Sequence, residues 1–329
     1  MARLARMLAW LAAACLPMLM PAPAAATAVV RVGVLQFGTV SWEIEAMQKA
    51  GLLEREGVRV EVVPLAVNDA ANVAFQGNAV DVIVNDWIWV SRQRSEGRAY
   101  AFVPYSLAVG GVMVRPDAGL RSFADLRGKR LGIAGGALGK SWLLLRAYAR
   151  KTVGEDAATF VRTDFAAPPL LNQLALGGEI PAVLNYWHYN ARLQAAGMRE
   201  MLSMQDILAG LGVRSELPMV GWVFREDWAK ANPAAIEGFL RASAAAKKLM
   251  LESDGIWTAL RPVMRAEDPA TFEALRAGYR AGIPRGTAAE AESTARQVFS
   301  ILAAVGGRDL VGDAQTLAPG TFWQAGGDR

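Results

Sequence analysis

Apolar and polar residues alternate along the chain in segments that predict strands and helices in turn. Short runs rich in Val and Ile at 29–35 and 130–134 predict buried parallel strands. After each run, a glycine-bearing loop leads into a stretch with helical spacing of apolar residues, at 41–53 and 141–151. Strands that alternate with helices predict an α/β fold with parallel sheets.

A second helix follows in each half of the chain and is predicted to end at a glycine, Gly77 or Gly177. Glycine at these positions can take the left-handed turn that closes a helix. Buried strands are predicted next, at 80–84 and 182–184. Both halves therefore have the same predicted order of strands and helices.

The two halves also match residue by residue at a spacing of about 100 positions. Arg31-Val32-Gly33-Val34 corresponds to Arg130-Leu131-Gly132-Ile133, and Ser41-Trp42 corresponds to Ser141-Trp142. Residues 72–87 align without a gap on residues 172–187, with identical Asn, Gly, Asn and Trp positions. A repeat of this kind predicts one structural unit used twice.

Two extended apolar segments, 107–114 and 219–224, are predicted to connect the halves. We therefore predict a first lobe built from residues 29–108 and 219–329, and a second lobe built from residues 109–218. Two connections between two lobes make a hinge.

The last part of the chain shows clear helix starts. Asn232 precedes Pro233, Asp268 precedes Pro269, and Thr287 to Glu290 has the pattern of a capping box. These C-terminal helices are predicted to complete the first lobe.

The N-terminal segment 1–28 has the layout of a signal peptide. Arg3 and Arg6 precede the apolar residues 7–20, and small residues follow at 22–28. Cleavage after position 26 or 28 predicts a periplasmic protein. A retained membrane anchor and lipid attachment at Cys15 are the less favoured alternatives.

Composition narrows the range of functions. The chain has 329 residues, of which 53% are apolar and 20% charged, which excludes a disordered or coiled-coil protein. Lys and Arg number 35 against 31 Asp and Glu, too small an excess to indicate nucleic acid binding. Because Cys15 is the single cysteine and His188 the single histidine, we expect neither a metal site nor a cofactor. We expect a monomer.

Ligands of open parallel sheets bind beyond the carboxyl ends of the strands. Polar and aromatic residues are predicted to contact a ligand there, and the candidates are Trp42, Asn85, Asp86, Trp87, Gly136, Lys140, Ser141, Trp142, Asn185, Tyr186, Trp187 and His188.

Four of these candidates are tryptophans at matching positions of the two halves. Trp42 and Trp142 either face the cleft or pack on their own sheets. Trp87 and Trp187 directly follow strands, which favours cleft walls. Aromatic faces on both sides would hold a planar ring or an alkylammonium, at about 0.5 to 2 kcal/mol for each contact.

The polar candidates also have structural interpretations. Asp86 either contacts an amino group of a ligand or caps the next helix. Asn85 and Asn185 either hold their loops or reach the ligand, and loop-holding is favoured. His188 is interpreted as a structural residue or a ligand contact, and as a metal ligand only if further ligands were present.

The segment from Ala134 to Ser141, Ala-Gly-Gly-Ala-Leu-Gly-Lys-Ser, resembles a phosphate loop with Ala in place of the first Gly. Nucleotide hydrolysis is disfavoured, because the loop follows a late strand and no apolar strand ending in Asp comes after it. Free amides at the start of the following helix would still suit an anionic or polar ligand group.

A series of further segments extends through nearly the whole chain after residue 28: Arg31–Val34, Gly51–Leu53, Glu56–Val58, Gly77–Asp81, Ser122–Arg130, Gly221–Asp227, Asn232–Pro233 and Phe239–Ala242. In this order they resemble the periplasmic substrate-binding proteins of ABC importers, in the group that includes aliphatic sulfonate, taurine, nitrate and thiamine-pyrimidine binders. The resemblance implies a type II periplasmic-binding-protein fold, closure on a small solute, and delivery to a permease with its ATPase subunit.

Asp86 and the density of aromatic residues depart from the sulfonate and nitrate binders. They favour an aromatic or heterocyclic solute, which could carry an amino group. Together with the resemblance, the expected solute is an aromatic, heterocyclic or organosulfur compound. Two alternatives stay open: an enzyme like those that make the thiamine pyrimidine, in which Lys140 and His188 would act on a cofactor, and a sensor lobe that reports a ligand to a membrane receptor.

Overall fold

The structure is a computed structural model that describes residues 27–324. Most of the predicted signal segment, including Cys15, lies outside the described residues. Within residues 27–324, no helix combines the length and the apolar character needed to cross a bilayer.

The chain forms alternating strands and helices, as predicted. The strands are β1 (Ala28–Leu35), β2 (Val58–Leu65), β3 (Val82–Asp86), β4 (Tyr100–Ser106), β5 (Val112–Val114), β6 (Arg130–Ile133), β7 (Arg162–Phe165), β8 (Ala182–Leu184), β9 (Arg199–Leu202) and β10 (Val220–Arg225). The helices are α1 (Val40–Lys49), α2 (Leu52–Arg55), α3 (Asn68–Gln76), α4 (Trp87–Ser95), α5 (Lys140–Thr152), α6 (Ala157–Phe160), α7 (Pro168–Leu176), α8 (Trp187–Ala195), α9 (Met204–Leu211), α10 (Glu226–Ala231), α11 (Pro233–Glu252), α12 (Asp254–Met264), α13 (Pro269–Ala281) and α14 (Ala288–Val311).

The strands form two five-stranded sheets with equivalent strand orders, β2-β1-β3-β10-β4 and β7-β6-β8-β5-β9. In the first sheet β1 is parallel to β2 and β3, and β10 is antiparallel to both of its neighbours. In the second sheet β6 is parallel to β7 and β8, and β5 is the antiparallel strand. We call the layers built on these sheets the first and the second lobe. The predicted α/β class and internal repeat are confirmed.

The strand motif contains a glycine in both lobes, Gly33 and Gly132, and the same steric constraint explains both. A Cβ atom on Gly33 would lie 2.9 Å from the Leu65 side chain, and one on Gly132 would lie 2.7 Å from Ile180 and Leu171. Glycine therefore lets apolar side chains close over the sheet at both positions.

Each sheet receives one strand from a crossover segment. The segment 107–114 is extended only at its end, as β5, whereas the predicted strand at 219–224 corresponds closely to β10. Because β10 lies between β3 and β4, the first sheet is completed by chain that follows the second lobe.

One predicted helix and one predicted helix cap need correction. The helix predicted at 41–53 is two helices, because Gly51 takes a left-handed conformation with φ of 63°. Asp268 and the Thr287–Glu290 capping box are confirmed as caps. Asn232 is wrong as a side-chain cap, since its amide donates backwards to the Trp228 carbonyl.

The apolar side chains lie in two large clusters. One cluster extends through both lobes and includes residues of α4, α5 and α14. The other packs α1 and α11 to α13 against the first sheet. The C-terminal helices thus cover the first lobe and also contact the second, through α14 against α5 and α13 against α8.

Candidate functional site

Two predicted site residues meet between the lobes. Asp86 ends β3 of the first lobe, and Lys140 begins α5 of the second lobe. The Lys140 ammonium donates to Asp86 Oδ2 at 2.6 Å, and the two side chains keep 24% and 13% of their surface exposed. The other oxygen of Asp86, Oδ1, accepts from the Trp89 backbone N–H at 2.7 Å. Asp86 is therefore both a helix cap and an interlobe ion-pair partner.

Aromatic rings form a second contact between the lobes. Trp187, the first residue of α8, lies edge-on to Trp42 of α1 with ring centroids 5.9 Å apart. Tyr279 of α13 contacts both indoles, at 6.1 Å and 6.3 Å. A Cβ atom on Gly278 would lie 3.0 Å from the Trp187 ring, so glycine is what admits the indole. Trp42 is itself almost fully buried and contributes to the core as well as to this contact.

The structure corrects the expectation that Trp87 forms a wall of the cleft. Its side chain is 0% exposed within the cluster shared by α4, α5 and α14, and its indole N–H has no hydrogen-bond partner among the described residues. Trp142 is also in this cluster, with its ring centroid 6.5 Å from that of Phe165. Of the two interpretations of Trp142, facing the cleft or packing in the core, the structure supports packing in the core. Both indoles are covered because large apolar helices pack over them.

Asn85 and Asn185 hold their loops in the same way. The Asn85 side-chain amide donates to Asn72 at 2.6 Å, and its carbonyl accepts from the N–H of Asp86. In the second lobe Asn185 donates to Asn172 at 2.9 Å and accepts from the N–H of Tyr186. The four asparagines of the sequence repeat are therefore paired within each lobe, which supports the loop-holding interpretation.

Tyr186 and His188 connect the ion pair to the aromatic contact. A Cβ atom on Gly135 would lie 3.2 Å from the Tyr186 hydroxyl, which places this ring beside the loop before α5. Burial raises the pKa of Tyr186, although Lys140 acts in the opposite direction. Burial and the nearby Arg192 lower the pKa of His188 to about 4, so this ring is neutral at pH 7. The His188 ring contacts the backbone of Phe37 in the first lobe.

In the loop that resembles a phosphate loop, not all backbone N–H groups are free to bind an anion. The Gly139 N–H donates to the Gly136 carbonyl at 3.0 Å, and the Lys140 ammonium is held by Asp86. Gly135 and Gly136 have φ values of 88° and 74°, which favour glycine. Ser141 lies half-buried in the first turn of α5.

A pocket of about 330 Å³ opens beside the strand-end loops. Its walls come from the loop after β1, from the starts of α1 and α8 and from the end of α12, and they include Gln36, Phe37, Ser41, Trp42, His188 and Arg265. A larger groove of about 640 Å³ lies between α8 and α13 next to the first crossover, with Trp187 in its wall. Trp187 and Trp42 thus stand between the two spaces.

Sequence reasoning missed two features of this region. Phe37 is 62% exposed, and the Arg265 guanidinium lies 5.5 Å from its ring centre. Arg265 has a positive φ of 50° at the end of α12, which only the fold reveals.

The second missed feature is a buried polar network under Trp42. Glu43 is fully buried and accepts hydrogen bonds from Lys247, Ser243 and, at 2.7 Å, the Tyr279 hydroxyl. The sequence contained a signal of this burial, since Glu43 lies on the apolar face of α1. Burial lowers the pKa of Lys247, and the Glu43 carboxylate opposes this effect. The network fixes Tyr279, which contacts both Trp42 and Trp187.

No group of three or more His, Cys, Asp and Glu side chains within residues 27–324 is arranged to hold a metal ion.

Comparison with known proteins identifies both family and fold. Residues 42–254 match the family model described as NMT1/THI5 like. No sequence among curated proteins is significantly similar to the chain.

Solved structures share the architecture at low sequence identity. The periplasmic aliphatic sulphonate binding protein SsuA from Escherichia coli matches with a TM-score of 0.70 and 17% identity, over 90% of this chain and 92% of that chain. SsuA from Xanthomonas axonopodis pv. citri, solved bound to MOPS, matches with a TM-score of 0.68 and 20% identity, over 92% and 100% of the two chains. The periplasmic nitrate-binding protein NrtA from Synechocystis PCC 6803 matches with a TM-score of 0.56 and 12% identity, over 76% and 69%. The expected type II periplasmic-binding-protein fold is confirmed.

Proposed function

The chain belongs to the NMT1/THI5-like family, and from this premise we propose that it is a periplasmic solute-binding protein that captures a small molecule between its lobes for an ABC importer. The fold that it shares with SsuA and NrtA supports this proposal. The partners would be a membrane permease and its ATPase subunit, and the binding protein would act as a monomer.

The contact between Asp86 and Lys140 is the observation that carries the proposal. Asp86 is the last residue of the first lobe's β3, and Lys140 follows the second lobe's β6, so equivalent strand ends of the two sheets face each other. A solute held there would touch both lobes at once. Its binding energy would then favour the closed arrangement, because only that arrangement provides both sets of contacts.

We propose an aromatic, heterocyclic or organosulfur solute. The exposed rings of Phe37 and Tyr186 and the partly buried ring of Trp187 lie along the interlobe contact. Rings of this kind contribute about 0.5 to 1.5 kcal/mol for each favourable contact beyond the area they bury.

The roles of the predicted site residues follow from their positions. Asp86, Lys140, Tyr186, Trp187 and His188 would contact the solute directly. The other candidates act around them: Trp42 supports Trp187, Asn85 and Asn185 hold the loops, Gly136 and Ser141 shape the start of α5, and Trp87 and Trp142 belong to the core.

We propose lobe boundaries at 29–108, 109–218 and 219–329, with export directed by residues 1–28. Ala28 pairs with Val58 at the first position of β1. Cleavage after position 26 would therefore leave the first strand intact, whereas cleavage after position 28 would shorten it.

We propose binding without covalent chemistry. Lys140 is occupied by an ion pair, and His188 is half-buried and neutral at pH 7. A solute recovered from the protein after prolonged incubation should consequently have an unchanged mass.

The proposal is tested by isolating the exported protein gently and measuring bound small molecules by native mass spectrometry. In parallel, a panel of alkyl and aryl sulfonates, aminopyrimidines and other heterocycles is screened by tryptophan fluorescence and by X-ray scattering. We expect at least one compound to bind and to reduce the radius of gyration. Absence of any bound molecule, together with no binding across the panel, would contradict the proposal.

The genes beside this one provide an independent test of the partner. A permease gene and an ATPase gene next to it would support import. A lone membrane kinase or cyclase gene would instead support the sensor alternative.

A further inference from the structure

The ion pair between the lobes restricts what can enter the cleft. Only Oδ2 of Asp86 is directed at Lys140, because Oδ1 is engaged by the Trp89 N–H. The oxygen and the ammonium nitrogen are 2.6 Å apart, so no ligand atom fits between them. A solute that binds between these loops must separate the two groups.

Separation leaves two charges that need new partners. Both side chains are largely shielded from water, at 13% and 24% exposure. Within residues 27–324 each is the other's only ion-pair partner. A partly buried charge that loses its partner destabilises the complex strongly, since water cannot fully replace the lost interaction.

Simple ions can satisfy only one side of the site. An anion would pair with Lys140 but leave Asp86 without a cation, and it would add a second negative charge nearby. A cation would pair with Asp86 but leave Lys140 without an anion. A solute with both charges replaces both halves of the ion pair.

We therefore propose that the solute is a zwitterion, with a cationic N–H group for Asp86 and an anionic group for Lys140. This inference rests on the proposed function and narrows its ligand class. Asp86 is the residue that excludes simple anions.

The test compares three para-substituted benzene derivatives that carry both charged groups or only one of them. 4-(Aminomethyl)benzenesulfonate carries both charges, 4-methylbenzenesulfonate is the anion, and 4-methylbenzylamine is the cation. Affinities are measured by isothermal titration calorimetry at pH 7 and low ionic strength. The wild-type protein is expected to bind the zwitterion at least tenfold more tightly than either singly charged compound.

Two variants assign the preference to the ion pair. Asp86→Asn removes the charge while its side-chain oxygen can still cap α4, and it should bind the anion at least tenfold more tightly than the wild type does. Lys140→Met should lose the preference for the zwitterion over the amine. Glu155→Gln, which breaks the exposed ion pair with Arg127 in the second lobe, is the matched control and should leave all three affinities unchanged.

If the Asp86–Lys140 ion pair only holds the lobes closed and does not select the solute, the variants give a different result. Removing it would change the affinities for all three compounds by the same factor, and that outcome overturns the proposal. A wild-type protein that fails to prefer the zwitterion, or does not bind it, also overturns it. If compounds of the earlier panel still bind, only this inference fails; if none binds, the proposed function fails as well.

Discussion

The buried network around Glu43 allows the sharpest stability prediction. Lys247→Met keeps most of the side-chain length but removes the ammonium that faces Glu43 and lies 3.8 Å from the centre of the Tyr105 ring. The Glu43 carboxylate, which is 0% exposed, is then left with only neutral donors. Breaking a buried ion pair from one side costs about 3 to 5 kcal/mol. We expect the free energy of unfolding to fall by that amount.

The assay is urea unfolding at pH 7, followed by tryptophan fluorescence and far-UV circular dichroism. Glu43→Gln and the double variant with Lys247→Met complete a double-mutant cycle. Because the double variant leaves no unpaired charge, it should be more stable than the sum of the single losses predicts, by about 1 to 3 kcal/mol. Glu155→Gln at the surface should leave the transition midpoint unchanged.

Additive losses in the double variant would refute this reasoning, since they would mean that the two charges do not interact. A loss below about 1 kcal/mol for Lys247→Met would refute it too, because such a value is typical of exposed ion pairs.

Three further predictions concern the cleft. Because the pKa of His188 is depressed to about 4, protonation of the unfolded chain should reduce the free energy of unfolding as the pH falls from about 6.5 to 4, by about 3 kcal/mol in total. His188→Gln should remove this pH-dependent part of the stability in urea unfolding measured over that range. An unchanged pH profile in the variant would contradict the assignment. Trp187→Ala should weaken solute binding at least tenfold, about 1.4 kcal/mol, in calorimetry on protein with a native circular dichroism spectrum, and unaltered affinity would exclude the aromatic contact. Asn185→Ala should cost about 1 to 3 kcal/mol by leaving buried polar groups without partners, and more than Asn85→Ala, because Asn185 is the more buried; equal unfolding midpoints would refute that ranking.

The sequence repeat was sufficient to predict the architecture. Its strand motif, its glycines and its asparagine pairs all recur because the same local geometry is built twice. Local signals also predicted the capping box at Thr287, since a cap depends on residues within one turn. The break at Gly51 was missed, because apolar residues continue with helical spacing past Gly51 and conceal the left-handed turn that this glycine takes.

The site was less predictable, as the tryptophans illustrate. Trp87 and Trp187 occupy equivalent places in the repeat, yet one is in the core and the other lies between the lobes. The difference arises from the C-terminal helices: α14 belongs to the cluster that buries Trp87, whereas α13 presents Gly278 to Trp187. These contacts join residues far apart in sequence, and no local pattern encodes them.

The placement of β10 inside the first sheet has a consequence for how the chain matures. During synthesis β3 and β4 are made early, but the strand that joins them arrives only with Val220–Arg225. Until then β4 has no neighbour within its sheet, and the amino-terminal half cannot complete its fold by itself. Such distant strand pairing is slow. The first lobe of the newly made polypeptide should accordingly stay incomplete, and accessible to chaperones, until about two thirds of the chain has been translated.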